Sequence, residues 1–337
     1  MKAVGYHEAL PITDARSLLD LELPDPRPGA RDLLVQVKAV SVNPVDTKVR
    51  RNAAPPPGET QVLGWDASGV VLETGADVTL FHPGDPVWYA GSKVRPGTNS
   101  ALHLVDERIV GAKPRSLDYA QAAALPLTSI TAWELLFERL AVPPGKACSD
   151  DTLLIIGAGG GVGSVLTQLA RRLTSLRVIG TASRSETAQW VRGLGAHEVI
   201  DHRRPLTQEL ARIGIPQVTH VASLTKTDLH FPEIVEALAP QGRLALIDDP
   251  EPIDVRQLKP KSISLHWELM FTRSMFETPD MIAQHRLLTE MAELVDAGMI
   301  RTTVSDHFGE INAENLKRAH ALIESGQSRG KIVLEGF

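Results

Sequence analysis

The sequence predicts an α/β fold in two parts, a β-rich part and a doubly wound parallel sheet. Three observations predict it. Near the middle, the apolar run Leu153-Leu154-Ile155-Ile156 empties into Gly157-Ala158-Gly159-Gly160-Gly161-Val162-Gly163, and Gln168-Leu169-Ala170-Arg171-Arg172 then reads as helix. After this point strand-like and helix-like segments alternate, the pattern of a parallel sheet covered by helices. Before it, short valine-rich segments are separated by Pro-Gly turns, the pattern of a barrel-like β domain.

In chain order, Leu33–Val40 alternates partly and reads as a strand, as do Gly69–Leu72 and Pro86–Tyr89. Pro28-Gly29, Thr74-Gly75 and Pro83-Gly84-Asp85 are turns between them. Pro55-Pro56-Pro57-Gly58 and Val142-Pro143-Pro144-Gly145 read as loops, the second leading into the parallel sheet. Beyond the glycine cluster, Val178 and Ile179 start a second parallel strand. Helix is expected over 186–193, strand over 198–200, helix over 206–213, strand over 218–222, helix over 231–238 and strand over 242–247. Gly195 and Gly242 stand where helices should stop. Near the C-terminus, Asn312 can cap a helix through Leu316, Ala319, Leu322 and Ile323, with Gly326 ending it.

A buried strand, a tight glycine turn and a helix N-terminus make a site for a pyrophosphate, because free backbone N–H groups and the positive dipole end face it. Gly159, Gly160, Gly161 and Val162 are the candidate contacts. Gly160 and Gly163 fit the last two glycines of the dinucleotide fingerprint, with Ala158 where the first belongs. Gly157, Gly160 and Gly163 give a second frame with even spacing. The second strand ends in Ser183-Arg184, where an NAD site places an acid for the ribose 2′-hydroxyl. A hydroxyl and a guanidinium suit a 2′-phosphate instead. Such a charge-assisted bond is worth roughly 1.5–3 kcal/mol, about ten- to a hundredfold in favour of NADPH. His202, ending a later strand beside Asp201, reads either as a further 2′-phosphate contact or as a surface loop residue.

The chain has 337 residues, enough for two domains, and a formal charge of −6. The mild acidity argues against a nucleic-acid surface. No stretch approaches the ~20 apolar residues of a membrane span or forms a signal peptide, so a cytoplasmic location is expected. The single cysteine, Cys148, excludes an internal disulfide and a four-cysteine zinc site and reads as incidental. The eleven histidines show no close ligand spacing.

Several stretches carry a family resemblance: Ser41–Asp46, Leu63-Gly64-Trp65-Asp66-Ala67-Ser68-Gly69, Ala122–Glu134, the glycine cluster and Gly330–Leu334. Through them the whole chain resembles the medium-chain dehydrogenase/reductase superfamily, in its zinc-free quinone oxidoreductase branch. It is most similar to a bacterial group often labelled zinc-binding alcohol dehydrogenases. The resemblance implies a GroES-like catalytic domain from residues 1–125 and 268–337, and a Rossmann NADPH-binding domain over 126–267. It implies an active site in the cleft between them and a homodimer. It also implies that Lys331–Leu334 returns to the first domain as a strand, and that relatives often vary the first fingerprint glycine.

In zinc-using relatives the catalytic metal is held by Cys, His and a second Cys or an acid. The matching positions here are Asn43, Trp65 and Leu127, so zinc coordination is not expected. Asp66 adds one carboxylate, which does not make a site. The expected activity is NADPH-dependent hydride transfer to a small molecule, a quinone or an α,β-unsaturated carbonyl, whose oxygen needs hydrogen-bond donors as charge develops. Asn43 is the candidate donor; its other reading is a turn residue before Pro44. In relatives this Asn and the Thr matching Thr128 lie near the nicotinamide. Lys48 and Tyr89 are further sources of charge or a proton, and Asp46 reads as a structural acid. The stretch Trp267–Phe276 reads as substrate-selecting or as packing. Two alternatives stand beside this reading: a zinc-type alcohol dehydrogenase and a non-catalytic NADPH-binding protein.

Overall fold

The computed structural model describes residues 1–145 and 150–337; Cys148 lies outside the described residues. Contacts divide the chain into two units, Met1–Ile130 with Phe271–Phe337, and Thr131–Met270.

The first unit opens with β1 (Lys2–Tyr6), β2 (Leu19–Glu22), β3 (Asp32–Val42), α1 (Pro44–Asn52), β4 (Gln61–Val62), β5 (Asp66–Thr74), β6 (Pro86–Ala90), β7 (Leu102–Asp106) and β8 (Val110–Ala112). It continues into α2 (Tyr119–Ala123) and α3 (Pro126–Trp133), whose last turn crosses into the second unit. One small antiparallel sheet has the order β2-β1-β4. β3 is the centre of the larger sheet, pairing antiparallel with β5 along one edge and with β7 over its first half. Its Val and Ala side chains alternate between faces that are both covered, so nearly all of it is buried. The expected strands over 33–40, 69–72 and 86–89 lie within β3, β5 and β6. The helix α1 is added by the structure; Arg50 on it is fully buried, bound to Glu324, the Leu10 carbonyl and His320 Nδ1.

The second unit contains β9 (Thr152–Ile156), α4 (Gly161–Leu173), β10 (Arg177–Thr181), α5 (Ser185–Gly193), β11 (Glu198–Ile200), α6 (Leu206–Arg212), β12 (Val218–Ser223), α7 (Thr227–Ala237), β13 (Leu238–Leu246) and β14 (Ser264–Trp267). The six strands are parallel in the order β11-β10-β9-β12-β13-β14, a doubly wound sheet that reverses direction between β9 and β12. Leu154, Ile179, Val221 and Leu244 of the strands pack with Leu210, Phe231 and Ile234 of the helices in one apolar core.

Two expectations are corrected here. The helix over 231–238 starts four residues earlier, at Thr227. Pro232 suits a first turn, but Asp248 binds both the Thr227 backbone N–H (2.9 Å) and its hydroxyl (2.5 Å), a tertiary cap that local sequence does not announce. Gly242 ends no helix: α7 runs directly into β13, and residues 239–242 bulge within that strand between Leu238, paired with Val218, and Arg243, paired with His220. Within Trp267–Phe276, Trp267 closes the edge strand β14 and is exposed, Met270 and Phe271 are buried, and Phe276 is exposed.

The chain then returns to the first unit through α8 (Thr272–Phe276), α9 (Ile282–Asp296), β15 (Val304–His307), α10 (Ala313–Glu324) and β16 (Lys331–Glu335). The buried Gln284, Leu287, Leu288, Met291 and Val295 of α9 recur at helical spacing, yet α9 is absent from the sequence-based expectations. Asn312 caps α10 by accepting the Asn315 N–H, and Gly326 follows its end at φ 68°. β16 pairs antiparallel with β3, as the returning strand should.

Candidate functional site

The glycine turn resolves the choice of frame. Gly157 has φ 84°, which a side chain would strain, and its N–H donates to Thr181 Oγ1 at 3.1 Å. A Cβ on Gly163 would sit 2.5 Å from the Gly157 carbonyl oxygen, so close packing of α4 on the turn needs glycine there. A Cβ on Gly160 would meet nothing nearer than 3.6 Å, which leaves that face open. Gly157, Gly160 and Gly163 thus supply the tight turn, the open approach and the close packing of the fingerprint. Ala158 is buried against Gly180. Gly159 lies against Thr187. Within α4 the first helical bond runs from the Ser164 N–H to Gly160. The N–H groups of Gly161, Val162 and Gly163 precede it at the positive end of the helix dipole.

At the tips of β10 and β11 lies a cavity of about 290 Å³. Ser183 and Arg184 line it together with Arg192, Arg204 and Arg212, against two acids, Asp201 and Glu209. Both acids are already engaged. Asp201 holds Arg203 at 2.7 Å, which keeps its carboxyl down at about 2. Glu209 holds Arg212 at 2.9 Å and lies 3.7 Å from Arg204. The cavity is therefore basic, and α5 begins directly after Arg184, adding its positive end. His202 is not among the lining residues. Its half-buried ring sits edge-on to His230 at 6.2 Å, and burial followed by that neighbour holds it below the usual imidazole range. A second cavity of about 320 Å³, beside Asp151, His220 and Arg243, lies at the opposite ends of the strands, away from the side where such sheets bind ligands.

In the first unit, four elements bring together a buried polar cluster. Asn43 joins β3 to α1, Asp66 opens β5, Leu127 is in the first turn of α3 and Lys331 opens β16. Asp66 Oδ2 accepts from Ser41 Oγ (2.8 Å), Asn43 Nδ2 (2.7 Å) and Lys331 Nζ (3.0 Å), and its Oδ1 accepts the Leu127 N–H (2.7 Å). Lys331 Nζ also donates to Asn43 Oδ1 and to the Val42 carbonyl. Asn43, Asp66 and Lys331 are each at most 3% exposed. Asp46 accepts the backbone N–H groups of Asn43 (2.6 Å) and Gly64 (2.9 Å), and burial pushes its carboxyl up to about 7. Asn43 does stand before the helix that Pro44 starts, yet its side chain turns to Asp66 and Lys331.

The other candidates are distributed around this cluster. The buried Thr128 hydroxyl donates back to the Leu125 carbonyl at 3.0 Å. Tyr89 is buried with its hydroxyl 3.0 Å from His103 Nδ1, and burial raises its pKa. His103 Nε2 faces the Pro96 carbonyl, which only accepts, so Nδ1 is the acceptor and Tyr89 the donor. Lys48 is exposed on α1. Lys331, Arg192, Arg204 and Arg212 were not anticipated. A lysine opening the apolar run Ile332-Val333-Leu334 is the signal that marks the first; the arginines converge only through folding.

The fold and these sites define a two-unit α/β oxidoreductase with a dinucleotide-type sheet. Residues 29–117 match the alcohol dehydrogenase GroES-like domain, and residues 194–334 match the zinc-binding dehydrogenase family. A zinc-type alcohol dehydrogenase-like protein of Staphylococcus aureus (strain MSSA476) is 38% identical over 99% of both chains. A solved structure from Rhizobium etli CFN 42, provisionally described as a zinc-dependent alcohol dehydrogenase protein, is 58% identical with TM-score 0.96, covering 100% of this chain and 98% of that one. The quinone oxidoreductase of Coxiella burnetii is 25% identical with TM-score 0.80, covering 100% and 99%. The chain belongs to the medium-chain dehydrogenase/reductase superfamily.

Zinc, which those descriptions imply, does not fit the residues present. Trp65 is an indole donating to the Ser92 carbonyl, Leu127 is aliphatic and Asn43 is an amide. The Asp66 carboxylate is committed to three donors besides Lys331. Among the described residues no group of three or more His, Cys, Asp and Glu could hold a metal. No helix among them is long and apolar enough to cross a membrane.

Proposed function

We propose that the protein is an NADPH-dependent, zinc-independent reductase that transfers hydride to a quinone or an α,β-unsaturated carbonyl in the cytoplasm. The observation that carries the cofactor reading is the arginine-rich cavity at Ser183 and Arg184, whose acids are already paired. In this reading the turn at Gly159, Gly160, Gly161 and Val162 receives the pyrophosphate, and Ser183, Arg184 and Arg204 bind the 2′-phosphate. Thr128 and Asn43 serve the nicotinamide end, and His202, which does not line the cavity, has no part in this reading. NADPH, when bound, supplies a hydride.

Asn43 provides the electrophilic contact. One N–H of its amide is committed to Asp66, and the other is offered to the substrate oxygen as negative charge develops there. Conjugation favours quinones and enones, because hydride addition moves the charge onto an oxygen already stabilised as an enolate or phenolate. The similarity to a quinone oxidoreductase supports the same substrate class. A homodimer is supported by the edge strand β14, whose last residue Trp267 is 54% exposed, with Leu269 just beyond it 46% exposed.

The test is NADPH oxidation by the purified protein against a panel of quinones, enones and aldehydes, with and without a chelator. We expect turnover of a quinone such as 1,4-naphthoquinone or of an enone, a preference for NADPH over NADH, and no effect of chelation. Asn43→Ala should lower kcat by roughly ten- to a thousandfold. Activity lost to the chelator and restored by zinc would overturn the metal-free reading; binding of NADPH without any turnover would overturn the enzymatic one.

A further inference from the structure

The Asn43 side chain is an amide with a donating and an accepting end, and only one of them can stabilise a developing oxyanion. Its neighbours decide which. Lys331 Nζ can only donate, and it meets Asn43 Oδ1. Asp66 can only accept while ionised, and it meets Asn43 Nδ2 at 2.7 Å. Turning the amide over would set nitrogen against an ammonium and oxygen against a carboxylate, two repulsive contacts in a site with almost no solvent. The two charged groups hold each other at 3.0 Å, and Ser41 and the Leu127 N–H anchor the carboxylate from other elements. The cluster is thus tied to β3, β5, α3 and β16 at once.

We propose that Lys331 and Asp66 are positioning residues for the reduction, locking the Asn43 amide so that its nitrogen, and not its oxygen, is the atom offered to the substrate carbonyl. This rests on the reading of Asn43 as the donor. Neither charged group reaches the substrate. Lys331 acts by occupying Asn43 Oδ1, and Asp66 by occupying one N–H and leaving the second. The free choice of two amide orientations becomes one, at no cost during turnover.

A double-mutant cycle on the full-length protein tests this, with 1,4-naphthoquinone, or the best-turned-over member of the panel, as acceptor. Lys331→Met removes the ammonium and keeps most of the side-chain volume. Because it leaves a buried carboxylate alone, the charge-neutral Asp66→Asn/Lys331→Met is made beside it, and thermal melts identify the folded variants. We expect kcat to fall by about ten- to a hundredfold while KM for NADPH stays within about twofold. In an Asn43→Ala background the same changes should cost nothing further, since there is no amide left to orient. Full additivity with Asn43→Ala, or an unchanged kcat in a folded Lys331 variant, overturns the positioning role while leaving Asn43 as donor. If Asn43→Ala itself retains full kcat, the donor reading falls and the positioning role falls with it.

Discussion

Two regions of the molecule hold charge in opposite ways. At the tips of β10 and β11, four arginines and two acids line an open cavity in which the cations are in excess. In the first unit, one lysine and one aspartate are buried at 3% and 0% side-chain exposure and neutralise each other. Exposed arginines keep their hydration and can exchange water or a counter-ion for a phosphate. A buried ammonium has no such reserve and must find all its partners within the protein, as Lys331 does with Asp66, Asn43 and Val42. Excess charge in an accessible place reads as a binding site, whereas balanced charge in an inaccessible one reads as a fixture that orients something else.

The largest effect separating the two regions is on stability. Asp66→Ala strands the Lys331 ammonium and the Ser41, Asn43 and Leu127 donors, and should cost about 3–5 kcal/mol in urea unfolding. Arg204→Ala in the open cavity should stay within about 0.5 kcal/mol. Comparable losses would erase the distinction.

Acid should act on two buried histidines of the first unit that lie outside the Lys331 cluster. His103 is held neutral by burial, its pKa lowered to about 4, and His320 likewise to about 3, with Arg50 adding to the effect. Both are lowered from an ordinary value near 6.5, so between there and their folded values the unfolded chain binds more protons than the native one. Their contribution is fully present above about pH 6.5 and is lost as pH falls toward 4 and then 3. Asp46, raised to about 7, works the other way over the same window, but one carboxyl opposes two histidines, so unfolding free energies should still fall with pH and His103→Gln should flatten the upper part of the slope.

The two regions were not equally legible in the sequence. Ser183 and Arg184 could be read because a fingerprint sets the distance from glycine turn to strand tip, and a missing acid there has chemical meaning. Arg204 and Arg212 belong to α6 and its approach, and only the crossover that leaves β11 for β12 brings them in. In the first unit Asn43 and Asp66 sit in recognisable stretches, but their common partner Lys331 lies 288 residues from Asn43. No local pattern reports a pairing made by β16 returning to β3. The same holds for the start of α7, which is set by Asp248, and for Gly242, which stands at a bulge where β13 shifts register against β12.

Binding of the cofactor gives the next contrast. Arg184→Ala should weaken NADPH by roughly ten- to a hundredfold and leave NADH nearly unchanged, measured as KM or by direct titration. Equal losses for both cofactors would move Arg184 out of the phosphate site.

The smallest expected effect is also the most direct probe of exposure. Charges in the open cavity are screened by salt, with a Debye length of about 10 Å at 0.1 M falling to about 3 Å at 1 M. The buried pair is shielded by the protein and feels little of this. Raising salt from 0.05 to 0.5 M should therefore increase KM for NADPH by a few-fold, leave KM for NADH nearly flat and leave kcat unchanged. The ratio of the two KM values isolates the 2′-phosphate, since every other contact is common to both cofactors. In Arg184→Ala that ratio should lose much of its salt dependence. If kcat were to fall with salt as well, the charges that orient Asn43 would have to be reachable by ions, and the cluster around Lys331 would belong with the exposed region after all.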